Sequence, residues 1–99
     1  MKEISIVQGD DKSIIVDFKG AVAEEIVGFY FSSKRLGISK YFDEKIEGKW
    51  IMEFTSDETK TFPSDISTFD ITAKLSDGQI MTGIYHGVVC VKEKDNSIF

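Results

Sequence analysis

Proline occurs once in these 99 residues, at Pro63, and cysteine once, at Cys90. A lone cysteine forms no bridge within the chain, so no disulfide framework holds the fold, and synthesis in a reducing compartment is the expectation. Histidine and tryptophan also occur once each, as His86 and Trp50. Basic residues are in the minority, 12 against 17 acidic ones, for a formal charge of −5. They are interleaved with acids, as from Lys40 to Lys49, and form no stripe. That balance argues against a nucleic-acid partner, whose nonspecific affinity comes from Lys and Arg displacing counterions. No apolar run nears the ~20 residues that cross a bilayer. The opening Met1-Lys2-Glu3-Ile4-Ser5 lacks the basic and apolar regions of an export signal. The expectation is therefore a protein with no membrane association, cytoplasmic when synthesised.

What the chain does have is period-two alternation. Phe69, Ile71, Ala73 and Leu75 alternate with Asp70, Thr72, Lys74 and Ser76, the pattern of a strand with one buried face. Asp77-Gly78 follows, and a second β-rich run extends from Gln79 to Val91. Asp-Gly favours a type I′ turn, so a hairpin is expected there. Earlier strands are read around Ile4 and Ile6, from Ile14 to Phe18, from Val27 to Phe31, and from Trp50 to Phe54. Tyr41-Phe42 suits a short edge strand, with charged neighbours that discourage further pairing. Ala21 to Glu25 and the stretch after Thr55 suit helical turns. At the second, Thr55 and Glu58 have the spacing of a capping box, and Phe62-Pro63 ends the turn.

Six to eight short strands with one short helical turn before Pro63 describe an all-β antiparallel sandwich. Residues 1–91 form the single domain and 92–99 a polar C-terminal tail. Its inward set is Ile4, Ile6, Ile14, Val16, Phe18, Val27, Phe29, Phe31, Trp50, Met52, Phe54, Phe62, Phe69, Ile71, Ala73 and Leu75. In the last strand, Ile80 and Ile84 suit one phase and Val89 and Val91 the other, so a bulge near Gly83 or Gly87 is expected to shift the register.

The candidate chemistry is thin. His86 has no serine or carboxylate partner supplied by a motif, and Cys90 sits among Val88, Val89 and Val91, where a thiolate gains no stabilisation. Asp10-Asp11 and Asp57-Glu58 lack the spacing of a calcium loop. No catalytic, metal or cofactor site is therefore expected. Tyr30, Tyr41, Phe42 and Tyr85 are left over once the core is filled, and Tyr30 and Tyr85 read as outward residues of neighbouring strands. Singly, each tyrosine suits an ordinary cross-strand surface pair; clustered together, these aromatics would mark a contact surface.

The succession Gln8-Gly9-Asp10, Gly20-Ala21-Val22 into Val27-Gly28-Phe29-Tyr30-Phe31, Gly48-Lys49-Trp50 into Thr55-Ser56-Asp57-Glu58-Thr59 and Phe62-Pro63, then Phe69-Asp70-Ile71 to Asp77-Gly78 and Gly87-Val88-Val89-Cys90-Val91, resembles the immunoglobulin-like domains of bacteriophage tail and baseplate proteins. It is similar to the N-terminal domain of baseplate upper proteins and to related prophage modules. Phe69 stands where such domains carry a tyrosine, so their tyrosine corner is absent. The resemblance implies an immunoglobulin-like sandwich that docks on other phage structural proteins or on its own copies, and a place in the virion. A small carbohydrate-binding module, stacking Tyr30, Tyr41 or Trp50 on sugar rings, is the alternative. An enzyme ranks behind both, for want of convergent acid, base or nucleophile.

Overall fold

A sharp corner near the N-terminus decides how the chain divides between two sheets. In a computed structural model, which describes residues 2–20 and 23–93, β1 (Lys2–Val7) turns through residues 8–11 into β2 (Lys12–Val16). The two strands do not pair with each other. β1 joins a five-stranded sheet of order β1-β8-β7-β3-β4, and β2 a three-stranded sheet of order β2-β6-β5. The remaining elements are β3 (Ile26–Ser33), β4 (Ile38–Phe42), β5 (Lys45–Ile46), β6 (Lys49–Phe54), a one-turn helix α1 (Ser56–Lys60), β7 (Ile66–Leu75) and β8 (Ile80–Lys92). All pairs are antiparallel except β1 with β8, which run parallel. The expected all-β sandwich is thus present, with eight strands and one parallel pairing that alternation alone does not reveal.

The corner is tied down by α1. Gly9 takes a positive φ of 82°, and the Asp10 amide donates to the Val7 carbonyl at 3.1 Å. The buried Thr59 hydroxyl accepts from the Gly9 amide at 3.0 Å and donates to the Asp10 carbonyl at 2.8 Å. Gln8 Nε2 reaches the Phe62 carbonyl at 2.7 Å, and the Ser56 amide donates to Asp11 Oδ1 at 2.7 Å. The helix owes its start to the capping box read in the sequence: the Thr55 hydroxyl accepts from the Glu58 amide, and the Glu58 carboxylate from the Thr55 amide.

Between the sheets lies an aromatic core. Phe29 and Phe31 of β3 are fully buried and meet β6 edge-on, Phe29 against Trp50 at 6.0 Å and Phe31 against Phe54 at 5.1 Å between centroids. Phe62 packs on Phe54 from below α1 at 6.0 Å. Such edge-to-face pairs add roughly 0.5–1.5 kcal/mol each to their area burial. Most of the expected inward set is buried, together with Ile26, Leu36, Val89 and Val91.

Four expectations change. Val27 is 42% exposed, because the ladder with β7 is irregular between Ile26 and Gly28, and this hands the inward position to Ile26. Ile14 is only half-buried, packed against the rim of the core. Phe42, expected outside the core, lies opposite Phe29 on the inner face and stacks on it at 5.4 Å. The β7–β8 hairpin is present, but its turn is not type I′. Only Gly78 has a positive φ, and its amide donates to the Leu75 carbonyl at 3.0 Å. That is the three-residue loop in which a glycine follows a type I turn as a bulge. The two-residue loop with both central φ positive occurs instead at Glu47-Gly48, between β5 and β6.

Of the expected helical turn at Ala21 to Glu25, Ala23–Glu25 form a 3-10 turn, while Ala21 and Val22 lie outside the described residues. Lys92 of the expected tail belongs to β8, and residues 94–99 lie outside the described residues.

Two stability outcomes follow from this packing. Trp50→Ala should lower stability by ~3–5 kcal/mol, the usual loss for a large buried aromatic, and chemical denaturation reads it as a lower midpoint. Thr59→Val keeps the shape but removes the hydroxyl's bonds to the Gly9 amide and the Asp10 carbonyl. Its expected cost is about 1–3 kcal/mol, with faster hydrogen exchange confined to residues 8–11.

Candidate functional site

The outer face of the five-stranded sheet brings two of the expected contact residues together. Tyr30 of β3 lies directly opposite Tyr41 of the edge strand β4, and their rings approach to 4.8 Å at 51°. Gly28 makes this possible: a Cβ there would overlap the Tyr41 ring and hydroxyl. A glycine inside a strand often marks such a close approach. Beside the pair, Ser32 and Ser39 are opposite one another with their hydroxyls 3.3 Å apart. Tyr41 is 37% exposed and Tyr30 half-buried.

Phe42 and Tyr85 do not join them. Phe42 is buried against Phe29 and Phe54. Tyr85 pairs with the inward Ile71, so its ring lies on the core face, 5.8 Å from Phe18. Its hydroxyl donates to the Asp17 carbonyl at 2.6 Å, bridging the sheets. The outward reading of Tyr85 is therefore corrected. A bulge does occur at Gly83, where φ is +66°, but residues 82–84 together face the single Thr72. Two extra residues preserve parity, so Met81, Tyr85, Gly87, Val89 and Val91 share one phase while Ile80 points out, 52% exposed.

The sequence reading missed a second surface. Ile15 and Ile51 are opposite one another on the outer face of the three-stranded sheet, and Ile46 lies on the same face beside Lys49. Ile15 is 65% exposed. The available signal was an apolar residue in the solvent phase of an otherwise alternating strand.

The two flanks of the sandwich differ. On the β4 flank, Lys40 Nζ donates to the Glu53 carbonyl at 3.0 Å and to Glu58 Oε1 at 2.7 Å, and lies 5.3 and 5.7 Å from the Phe42 and Phe54 ring centres. Burial works to raise the Glu58 pKa. The hydrogen bond and charge of Lys40, with the Thr55 amide and hydroxyl, outweigh it and hold the carboxyl below its ordinary value. On the opposite flank, β1 and β2 leave an open apolar cleft of about 160 Å3.

Neither surface assembles a reaction centre. His86 Nδ1 engages Asp70 on the outer face. Cys90, four residues along the same strand, is half-buried beside Ile66 and Ser5, and four strand residues separate it from His86 by roughly 13 Å. Among the described residues, no group of three or more His, Cys, Asp or Glu side chains is placed to hold a metal ion. Asp11 accepts from the Ser56 amide, Asp57 lies 3.7 Å from Lys60, and Glu58 closes the capping box. No helix of the described residues is long and apolar enough to cross a membrane.

No family model matches the chain, and no curated protein matches it. Among solved structures it is similar to the fibronectin(III)-like modules of CbhA from Clostridium thermocellum, with a TM-score of 0.55 at 16% identity. The alignment covers 90% of this chain and 85% of that one. The likeness establishes the fold, an immunoglobulin-type sandwich of the fibronectin(III)-like kind.

The Lys40–Glu58 tie carries a pH dependence. A carboxyl held below its unfolded value contributes stability above that value, about pH 4.3 for glutamate, and the contribution disappears as pH falls through the folded value. Glu58→Gln should therefore lower the denaturation midpoint at pH 7. Between pH 5 and pH 2 the variant should lose stability less steeply than the parent, and equal acid slopes would remove Glu58 from the account.

Proposed function

We propose that the chain is a non-catalytic module that holds other proteins, acting as a component of a phage or prophage tail or baseplate. The observation that carries this reading is the Tyr30–Tyr41 pair, seated over Gly28 at the exposed edge strand β4. Strand glycine weakens a sheet by removing side-chain packing and adding backbone entropy. Here it gives the Tyr41 ring room against the backbone, presenting a rigid aromatic with a polar tip, a residue type enriched at interfaces. Adjacent Ser32 and Ser39 supply hydroxyls for the rim. The resemblance to phage immunoglobulin-like domains supplies the setting, with synthesis in the cytoplasm and incorporation into the virion. No cofactor or nucleic acid enters this role.

The carbohydrate alternative draws less support. A sugar platform needs flat, exposed rings in line, but Trp50 is only 8% exposed and the Tyr30 and Tyr41 planes are inclined by 51°. A domain of this size offers a partner about 800 Å2, the usual share of one specific interface.

The test is co-purification with the products of flanking genes, with light scattering of the isolated chain. A stable complex or a defined oligomer is expected. Tyr30→Ser with Tyr41→Ser should weaken it at least tenfold while leaving the circular dichroism spectrum unchanged. A monomer that captures none of those products and binds a soluble oligosaccharide in calorimetry would overturn the reading.

A further inference from the structure

The geometry points to β2 as a docking edge for one extended, basic segment of a partner protein, which adds a fourth strand to the small sheet. This rests on the reading of the chain as an interaction module and places the contact on a flank away from the tyrosine pair. Among the described residues, β2 has β6 on one side and no strand on the other, so one row of its backbone groups has no ladder partner there. Such a row templates the addition of a strand. Of the other rims, β5 has two residues and β4 carries the Lys40 tie, while β1 borders the same cleft through Glu3 and Ile4. β2 is five residues long, contains no proline and runs through Ile14-Ile15-Val16.

The cleft beside that edge specifies the occupant. It lies between β2 and the overhanging inner face of the large sheet, where Ile4, Ile14, Met52 and Tyr85 form its walls. Its volume of about 160 Å3 is close to the ~150 Å3 of an apolar cavity that accepts one benzene. One apolar side chain of an added strand therefore fits, while its neighbours in the alternate phase point outward beside Ile15. The charged residues lining the cleft are Glu3 and Asp17, both acidic. Lysine or arginine flanking the inserted side chain complements them. A second copy of a chain with net charge −5 would bring like charge to the same place.

The experiment titrates the full chain, labelled with nitrogen-15, with three peptides of nine residues. One alternates lysine and threonine around a central leucine, the second replaces each lysine with glutamate, and the third replaces the residues flanking leucine with proline. Saturable amide shifts confined to residues 3–4, 12–17 and 85 are expected with the lysine peptide, and none with the proline peptide. Glu3 and Asp17 are exposed, so Glu3→Lys with Asp17→Lys should leave the fold intact. It should weaken the lysine peptide about fivefold, the scale of two exposed charge pairs, and shift preference to the glutamate peptide. Absence of shifts at 1 mM peptide, or equal binding of all three, would overturn the proposal. Shifts centred on Tyr30 and Tyr41 would also overturn it while leaving the interaction reading standing. Concentration-dependent shifts of residues 12–17 without peptide would assign the edge to a second copy and overturn the basic partner.

Discussion

The buried hydroxyl of Thr59 governs more of this molecule than any single apolar contact. By accepting from Gly9 and donating to Asp10, it satisfies a corner where the backbone can complete neither ladder. A chain leaving β1 would otherwise continue as a hairpin within one sheet. Fixed by Thr59, Gln8 and Asp11, it crosses the sandwich within four residues, 8–11. β1 is then free to run parallel to β8 and β2 antiparallel to β6. Burial of unpaired backbone groups costs more than a single net hydrogen bond returns, so the polar corner constrains topology where the apolar core supplies the bulk of the stability.

From that corner comes an asymmetry between the flanks. β1 and β2 are edges of different sheets on the same side, and five strands face three. The small sheet leaves part of the large one uncovered, and Tyr85 spans the gap by a single bond to Asp17. On the other flank Lys40 is drawn to a carbonyl, a carboxylate and two aromatic rings, contacts that bring the sheets together there. A sandwich closed on both sides would offer only faces. Among its described residues this one keeps a strand edge without a ladder partner beside an apolar recess.

The core was legible because period two survives wherever a strand is regular: Phe29 and Phe31, Trp50 to Phe54 and Phe69 to Leu75 all face inward as alternation requires. It failed at irregularities. The β3 irregularity exchanges Val27 for Ile26 without any mark in the hydrophobic pattern beyond Gly28 itself. At Gly83 the sequence signals a bulge but not its size. One extra residue would have turned Tyr85 outward, whereas the two present turn it inward. Turn chemistry was similarly ambiguous. Gly78 supplies positive φ for a bulge rather than for the second half of a type I′ turn, and the type I′ geometry falls at Glu47, which carries no Asn or Asp signature.

Candidate surfaces were less legible than the core for a related reason. Tyr30 and Tyr41 could be identified singly by phase, but their meeting depends on register between β3 and β4, and on the missing Cβ at Gly28. The cleft is further from any local pattern. Its walls come from Glu3 and Ile4, from Ile14 to Asp17, from Met52 and from Tyr85, segments that only the sheet-crossing corner brings onto one flank. Local alternation reports which way a side chain points within its own strand, and says nothing of which strand has been left without a neighbour. An edge is a property of the topology, so its unpaired backbone is invisible until the order of strands is known. In β2 one trace did reach the sequence, in Ile15: a solvent-phase isoleucine that would be costly on a strand meant to remain bare and that gains a purpose once another strand lies beside it.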